Sequence, residues 1–328
     1  MKRKKQEHRK PALTLLSNQF GKTNLRFFPD WLPVLQHVTP QRSQALMKGQ
    51  DMRTIKFGSQ RSVPVLGMGT WMIGEGRADR SDEIAVLQEG LEHGLEVIDT
   101  AEMYGDGRSE ELVGEAIKGQ RDRAFLVSKV YPFNASFDGV LAACERSLRR
   151  LGTDHMDLYL LHWPGSVPLQ ETIDAFQWLQ EREFIRDWGV SNFDPMDMEE
   201  VWACDGGSAC ATNQILYNLT RRGPEFDLLP LMEEKKTPVM AYSPIEQGRL
   251  LRDSRFCDVA NAVGMTPAQL GLAWVLRQSN RLAIPKTSHV SRLRENIAAL
   301  EYPLGDDVLA RLNELFPAPT QPQSLEML

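Results

Sequence analysis

The chain has 328 residues, of which 42% are hydrophobic and 25% charged, a composition that suits one large globular domain. No apolar run reaches the roughly 18 residues of a membrane helix, and a net charge of −6 gives no general reason to bind nucleic acid, so both roles are set aside in favour of a small-molecule partner. The four cysteines, Cys144, Cys204, Cys210 and Cys257, lack CxxC or CxxH spacing; they read as reduced thiols of a cytoplasmic protein, with no metal site.

Residues 1–50 hold ten Lys and Arg against two Asp and Glu, while the remainder holds 28 against 42. The apolar piece after the basic start, PALTLL, is shorter than the roughly 7 to 15 residues of a secretory h-region, so export is not expected. GKT at 21–23 resembles a phosphate loop, but Leu16 stands where its leading glycine belongs. Residues 1–51 are expected to form a basic, poorly ordered extension or to lie upstream of the natural start. Residues 52–328 are expected to form one folded domain.

From Met52 the runs RTIKF and SVPVLGMGTW flank the turn GSQR and predict a hairpin leading into a first core strand. Short apolar runs then alternate with segments of helical period. GMGTW, LEVID, AFLVSKV, MDLYLLHW, IRDWGVS, ATNQILY, TPVMAYS and RLAIPKT make eight strands. The helical segments between them begin with SDEIAVLQEGLEHG, where Ile84, Leu87 and Leu91 form an apolar face and Glu83, Glu89 and Glu92 a charged one. Apolar strands joined by helices predict a parallel sheet covered on its outside, and eight units over about 277 residues match an α/β fold of the (β/α)8 TIM-barrel type, with an N-terminal β-hairpin and a short C-terminal tail. The competing open sheet lacks its usual signature, since no GxGxxG follows a strand.

Barrel chemistry sits where strands finish, and successive strands here finish on Asp99, Lys129 and His162, with Tyr104 in the loop after Asp99. Each alone has an ordinary explanation as a cap or a satisfied core residue. Together they would converge, and a buried Lys129 requires a counter-ion that Asp99 supplies. An ammonium beside the phenol of Tyr104 is expected to lower its pKa toward neutrality, and a neutral His162 to orient a carbonyl oxygen. The implied reaction delivers a proton to carbonyl oxygen while hydride reaches carbon.

GMGTW, IDTAEMYG, VSKVYP, LYLLHWPG, GVSNF, ATNQILYNL, VMAYSP and IPKTS occur in an order that resembles the aldo-keto reductase superfamily, and within it the bacterial methylglyoxal reductase and diketogulonate reductase type, from about Met52 to Pro319. The resemblance implies a catalytic tetrad of Asp99, Tyr104, Lys129 and His162, with Tyr104 as general acid. It implies nicotinamide held by Ser191, Asn192 and Gln214 over the ring of Tyr242, and pyrophosphate along Ser243, Gln247 and Gly248. The family's 2′-phosphate positions match Lys286, Thr287, Ser288 and Arg292, which makes NADPH (NADP+) the expected cofactor; a helix opening there favours an anion independently. Glu295 and Asn296 are candidates for the adenine, and Trp71, Trp163 and Phe133 for the wall of the carbonyl pocket. The short Pro-rich tail after Phe316 implies a small lid and small aldehyde or α-dicarbonyl substrates.

A monomer is expected, because no heptad repeat or long apolar edge is visible. The alternative reading is a nicotinamide-binding regulatory or redox-sensing subunit docked through residues 1–51. Removing those residues separates the two: an enzyme keeps aldehyde turnover, whereas a docking module loses its partner. A Tyr-Lys reductase on an open sheet is excluded, since no tyrosine has a lysine four positions later.

Overall fold

The structure is a computed structural model that describes residues 52–58 and 62–328. The readings made for residues 1–51 and for most of the GSQR turn lie outside the described residues.

The hairpin pairs β1 (Thr54–Lys56) antiparallel with β2 (Ser62–Pro64), Ile55 facing Val63. Phe57, fully buried, meets Phe125 with ring centroids 6.2 Å apart. Phe125 is the first residue of its strand, so the hairpin covers the N-terminal ends of the strands and leaves their C-terminal ends as the mouth.

The eight predicted runs become one parallel sheet in chain order: β3 (Met68–Gly69), β4 (Val97–Asp99), β5 (Phe125–Val130), β6 (Met156–Leu161), β7 (Ile185–Ser191), β8 (Asn213–Leu216), β9 (Val239–Tyr242) and β10 (Arg281–Ile284). Every residue of β5 and β6 is buried, as strands covered on both faces require. Backbone hydrogen bonds return from the last strand to the first, with Gly67 N to Ala283 O at 2.8 Å and Gly69 N to Pro285 O at 3.0 Å. A Cβ on Gly69 would stand 2.8 Å from the carbonyl oxygen of Ile284, so this seam needs glycine.

Helices α1 (Arg80–Glu92), α2 (Arg108–Ala116), α3 (Phe137–Leu151), α4 (Leu169–Glu181), α5 (Pro195–Ala203), α6 (Leu228–Glu234), α8 (Pro267–Val275) and α9 (Val290–Ala298) occupy the predicted helical segments. Local signals set their ends. Ser136 caps α3 by accepting from Gly139 N, and Gly152 ends it at φ 64°; Asp194 and Thr266 close capping boxes on α5 and α8.

Two helices were not expected, α7 (Ser254–Ala262) and α10 (Asp306–Leu315). Asp253 caps α7, and Phe256, Val259 and Ala260 bury one face at helical spacing, so the signal was present; a reading of one helix per strand passed over it. Glu83 also departs from expectation. It is buried, and its Oε2 accepts from Gly74 N at 2.9 Å, tying the loop after β3 to α1.

Candidate active site

Lys129, near the end of β5, is fully buried. Its ammonium has three donors and uses all of them: the Asp99 carboxylate and Thr100 O at 2.8 Å each, and Tyr104 Oη at 3.2 Å. Because Lys129 donates to the phenol oxygen, the phenol's own proton is directed away from the lysine. Gln214, 115 positions from Asp99, donates from Nε2 to Asp99 Oδ1 at 2.7 Å. The Asp99 carboxylate is thus held from two strands.

Burial pulls the Lys129 pKa below its ordinary 10.5, against the opposing charge of Asp99. The phenol does not follow the sequence expectation. Burial first, then the Asp99 charge, raises Tyr104 well above 10.0. The physical reason is that a phenolate is costly in this dry space, and the carboxylate that neutralises Lys129 repels it as well. Tyr104 therefore keeps its proton at neutral pH.

His162 follows β6, its ring 5.8 Å from that of Tyr104 and 4.9 Å from that of Trp163. Neither ring nitrogen has a hydrogen-bond partner among the described residues, and Nδ1 is fully buried. Burial, helped by the Lys129 charge, lowers its pKa well below 6.5, so the ring is neutral. The sign for stability follows. Below pH 6.5 the unfolded chain takes up a proton that the folded ring refuses, so stability present above that pH is lost as pH falls through it, by up to about 1.4 kcal/mol per pH unit. His162→Gln is expected to flatten this acid slope between pH 6.5 and 5 in equilibrium urea unfolding; an unchanged slope removes His162 as its source.

These groups open on a cavity of about 960 Å³ at the C-terminal ends of the strands. Asp99, Tyr104 and His162 line it, as do Ser191, Asn192, Gln214 and Tyr242 on adjacent strand ends. Tyr242 donates to Asn192 Oδ1 at 2.9 Å, Asn192 Nδ2 donates to His162 O at 3.0 Å, and Ser191 Oγ to Gln214 O at 2.8 Å. Gln214 Nε2 is committed to Asp99 and Met240, which leaves its carbonyl oxygen for a ligand amide. Met72, Asn192, Ser243 and Gln247 line the cavity with positive φ, four of the eight such non-glycine residues described; such strain gathers where backbone shape serves a ligand.

The far end is cationic. Lys286, Thr287, Arg292, Glu295 and Asn296 line it, with Ser243, Gln247 and Gly248 along one side. Arg292 is exposed and has no ion pair among the described residues, and α9 begins without a side-chain cap. A free guanidinium at an open helix N-terminus fits a phosphate oxyanion. Lys286 donates to Ser288 Oγ at 3.0 Å, and Ser288 itself is not part of the cavity wall. Glu295 accepts from Thr266 Oγ1 at 2.5 Å and so does not pair with Arg292.

Trp71 and Trp163 line the mouth. Phe133 does not: the short turn Pro132–Asn134 carries its ring outward, 85% exposed, with its centroid 6.1 Å from that of Tyr131. Sequence reasoning missed other parts of the wall. Arg77, paired with Glu75 at 3.5 Å, comes from the loop after β3, and Met327 comes from the short tail expected to form only a small lid. Loop residues carry no periodic signal, and only the closed barrel brings them to one rim.

An eight-stranded parallel barrel with this mouth, together with a match of residues 65–316 to the aldo/keto reductase family, places the chain in that family. It is 47% identical over 283 residues to methylglyoxal reductase YeaE of Escherichia coli (strain K12), covering 85% of this chain and all of that protein. Crystal structures of an aldo-keto reductase from Klebsiella pneumoniae, one with NADP and acetate and one with NADPH, are 50% identical to it, with TM-scores of 0.82 and 0.83 over 85% of this chain and all of theirs. The protein is an aldo-keto reductase.

Proposed function

We propose that the protein reduces small aldehydes, ketones and α-dicarbonyls of the methylglyoxal type with NADPH, using Tyr104 as the proton donor. The observation that carries this reading is the Lys129 ammonium, whose third donor is spent on the Tyr104 oxygen at 3.2 Å. The similarity to methylglyoxal reductase and the NADPH bound by a neighbour at 50% identity support the substrate class and the cofactor.

Arg292 and Lys286 would hold the 2′-phosphate, Ser243, Gln247 and Gly248 the pyrophosphate, and Ser191, Asn192 and Gln214 the carboxamide, with Tyr242 against the ring. When bound, NADPH supplies the hydride for the carbonyl carbon. The chain supplies the rest. His162, neutral and with unpaired ring nitrogens, donates a hydrogen bond to the carbonyl oxygen and fixes its direction. Tyr104 transfers its proton to that oxygen, and Lys129 stabilises the phenolate left behind. Asp99 keeps the lysine charged and in place in a dry site. Trp71 and Trp163 form an apolar wall suited to a small carbonyl.

Following NADPH oxidation against a panel of α-dicarbonyls, simple aldehydes and sugar acids tests the reading. Turnover is expected with the dicarbonyls first, and an enzyme inert to the whole panel overturns it. Arg292→Ala is expected to raise KM for NADPH by about 10-fold or more while leaving KM for NADH nearly unchanged, since a charge-assisted contact of roughly 1.5–3 kcal/mol is lost only where the 2′-phosphate is present. Equal losses with both cofactors would detach Arg292 from that phosphate.

A further inference from the structure

A second cavity, of about 660 Å³, shares no residue with the first. It lies at the other end of β10: Arg281, the first residue of that strand, lines it, whereas Ile284, the last, lines the active site. Arg53, before the hairpin, and Arg277, just beyond α8, complete a set of three guanidinium groups around it.

Their counter-charges do not balance. Glu225 accepts from Tyr217 Oη at 2.5 Å, from Arg222 at 2.6 Å and from Arg277 at 2.7 Å, so one carboxylate serves two arginines. Glu233, the other acid of the lining, accepts from the neutral Asn280 Nδ2 and keeps its charge, which together with that of Glu225 acts on Arg281 from beyond ion-pair distance. Arg53 donates to the carbonyl oxygen of Leu276 and has no acidic partner among the described residues.

Arg281 is the informative group. It is only 4% exposed, yet no carboxylate among the described residues lies within ion-pair distance. Its Nη1 donates to Tyr217 Oη at 3.1 Å and its guanidinium lies 4.8 Å from the centroid of that ring, contacts that help a cation without neutralising it. Its Nε is buried with no hydrogen-bond partner among the described residues. A buried guanidinium with an unfilled donor beside a polar cavity calls for an acceptor in that cavity, and an anion there both accepts from it and offsets the surplus positive charge.

We propose that this cavity binds a phosphate group, as inorganic phosphate or a small phosphate monoester, on Arg281 and Arg53. Among the described residues four guanidinium groups, Arg53, Arg222, Arg277 and Arg281, share two carboxylates, Glu225 and Glu233, and that surplus of two positive charges matches the charge of about −1.5 to −2 that a phosphate monoester carries at neutral pH, while the planar guanidinium fork matches its oxygens. The cavity exceeds the size of phosphate alone, which leaves space for an organic substituent.

The test is calorimetric titration of the full chain, presaturated with NADPH so that the 2′-phosphate position is filled, with inorganic phosphate and separately with glycerol phosphate against sodium chloride of equal ionic strength. Saturable binding of one equivalent is expected. Arg281→Gln and Arg53→Gln are each expected to weaken it about tenfold or more, and Arg292→Ala to leave it unchanged. Tighter binding of the monoester names the organic phosphate as occupant, and equal binding names free phosphate. No saturable heat, binding that survives both substitutions, or binding lost with Arg292→Ala overturns the proposal. Should Arg281→Gln fail to fold, Arg53→Gln decides alone, because Arg53 lies exposed. Aldehyde turnover is not the readout, so the outcome is independent of the reaction proposed above.

Discussion

Tyr104→Phe is expected to cut kcat for carbonyl reduction by roughly 10² to 10⁴ while leaving NADPH affinity within about twofold. The substitution removes one oxygen from the wall and no packing volume, and Lys129 retains its bonds to Asp99 and Thr100. The loss therefore falls on the proton. A companion expectation concerns pH. The phenol's pKa lies above 10.0, and in the proposed mechanism the protonated form is the donor, so reduction should hold its rate from pH 7 to 9 and fall only as pH rises past that pKa. Stopped-flow turnover of the variant, and the pH profile of the native enzyme, check both. Unchanged turnover in the variant would falsify the role of Tyr104.

Lys129→Met is the second large effect, and it acts on both activity and stability. With the ammonium gone, Asp99 remains 2% exposed with Gln214 its one remaining side-chain donor among the described residues, and an uncompensated buried charge costs about 3–5 kcal/mol. Tyr104 loses the donor on its oxygen, so kcat is expected to fall by about 10² to 10³, the range for removing one charge-stabilising donor. Combined with Tyr104→Phe, the double variant should be little slower than the worse single one, because the two groups act as a unit. Multiplicative losses would show that Lys129 works through something other than the phenol. Equilibrium unfolding of the same proteins separates the stability cost from the catalytic one.

The strand ends were legible because burial of a strand on both faces leaves a continuous apolar word, and the polar letter that finishes it stands out. Asp99 after Val97 and Ile98, Lys129 after Leu126 and Val127, and His162 after Leu160 and Leu161 were found that way. The same rule gave the eight parallel strands and hence the mouth. Phe133 was placed only by distance along the chain, and a single turn was enough to carry it outward. Arg77 and Met327 lie in segments with no period to read.

The sequence by itself determined the order of strands and helices, the barrel they close into and the identity of the groups at its mouth, because hydrophobic period and capping are local properties of the chain. Only the tertiary structure decided how those groups share charge. The raised pKa of Tyr104, the bond from Gln214 to Asp99 across 115 positions and the unfilled Nε donor of Arg281 all depend on which groups end up together away from water. Electrostatic energy in a dry interior is set by distances between residues remote in sequence, and those distances exist only once the barrel has closed.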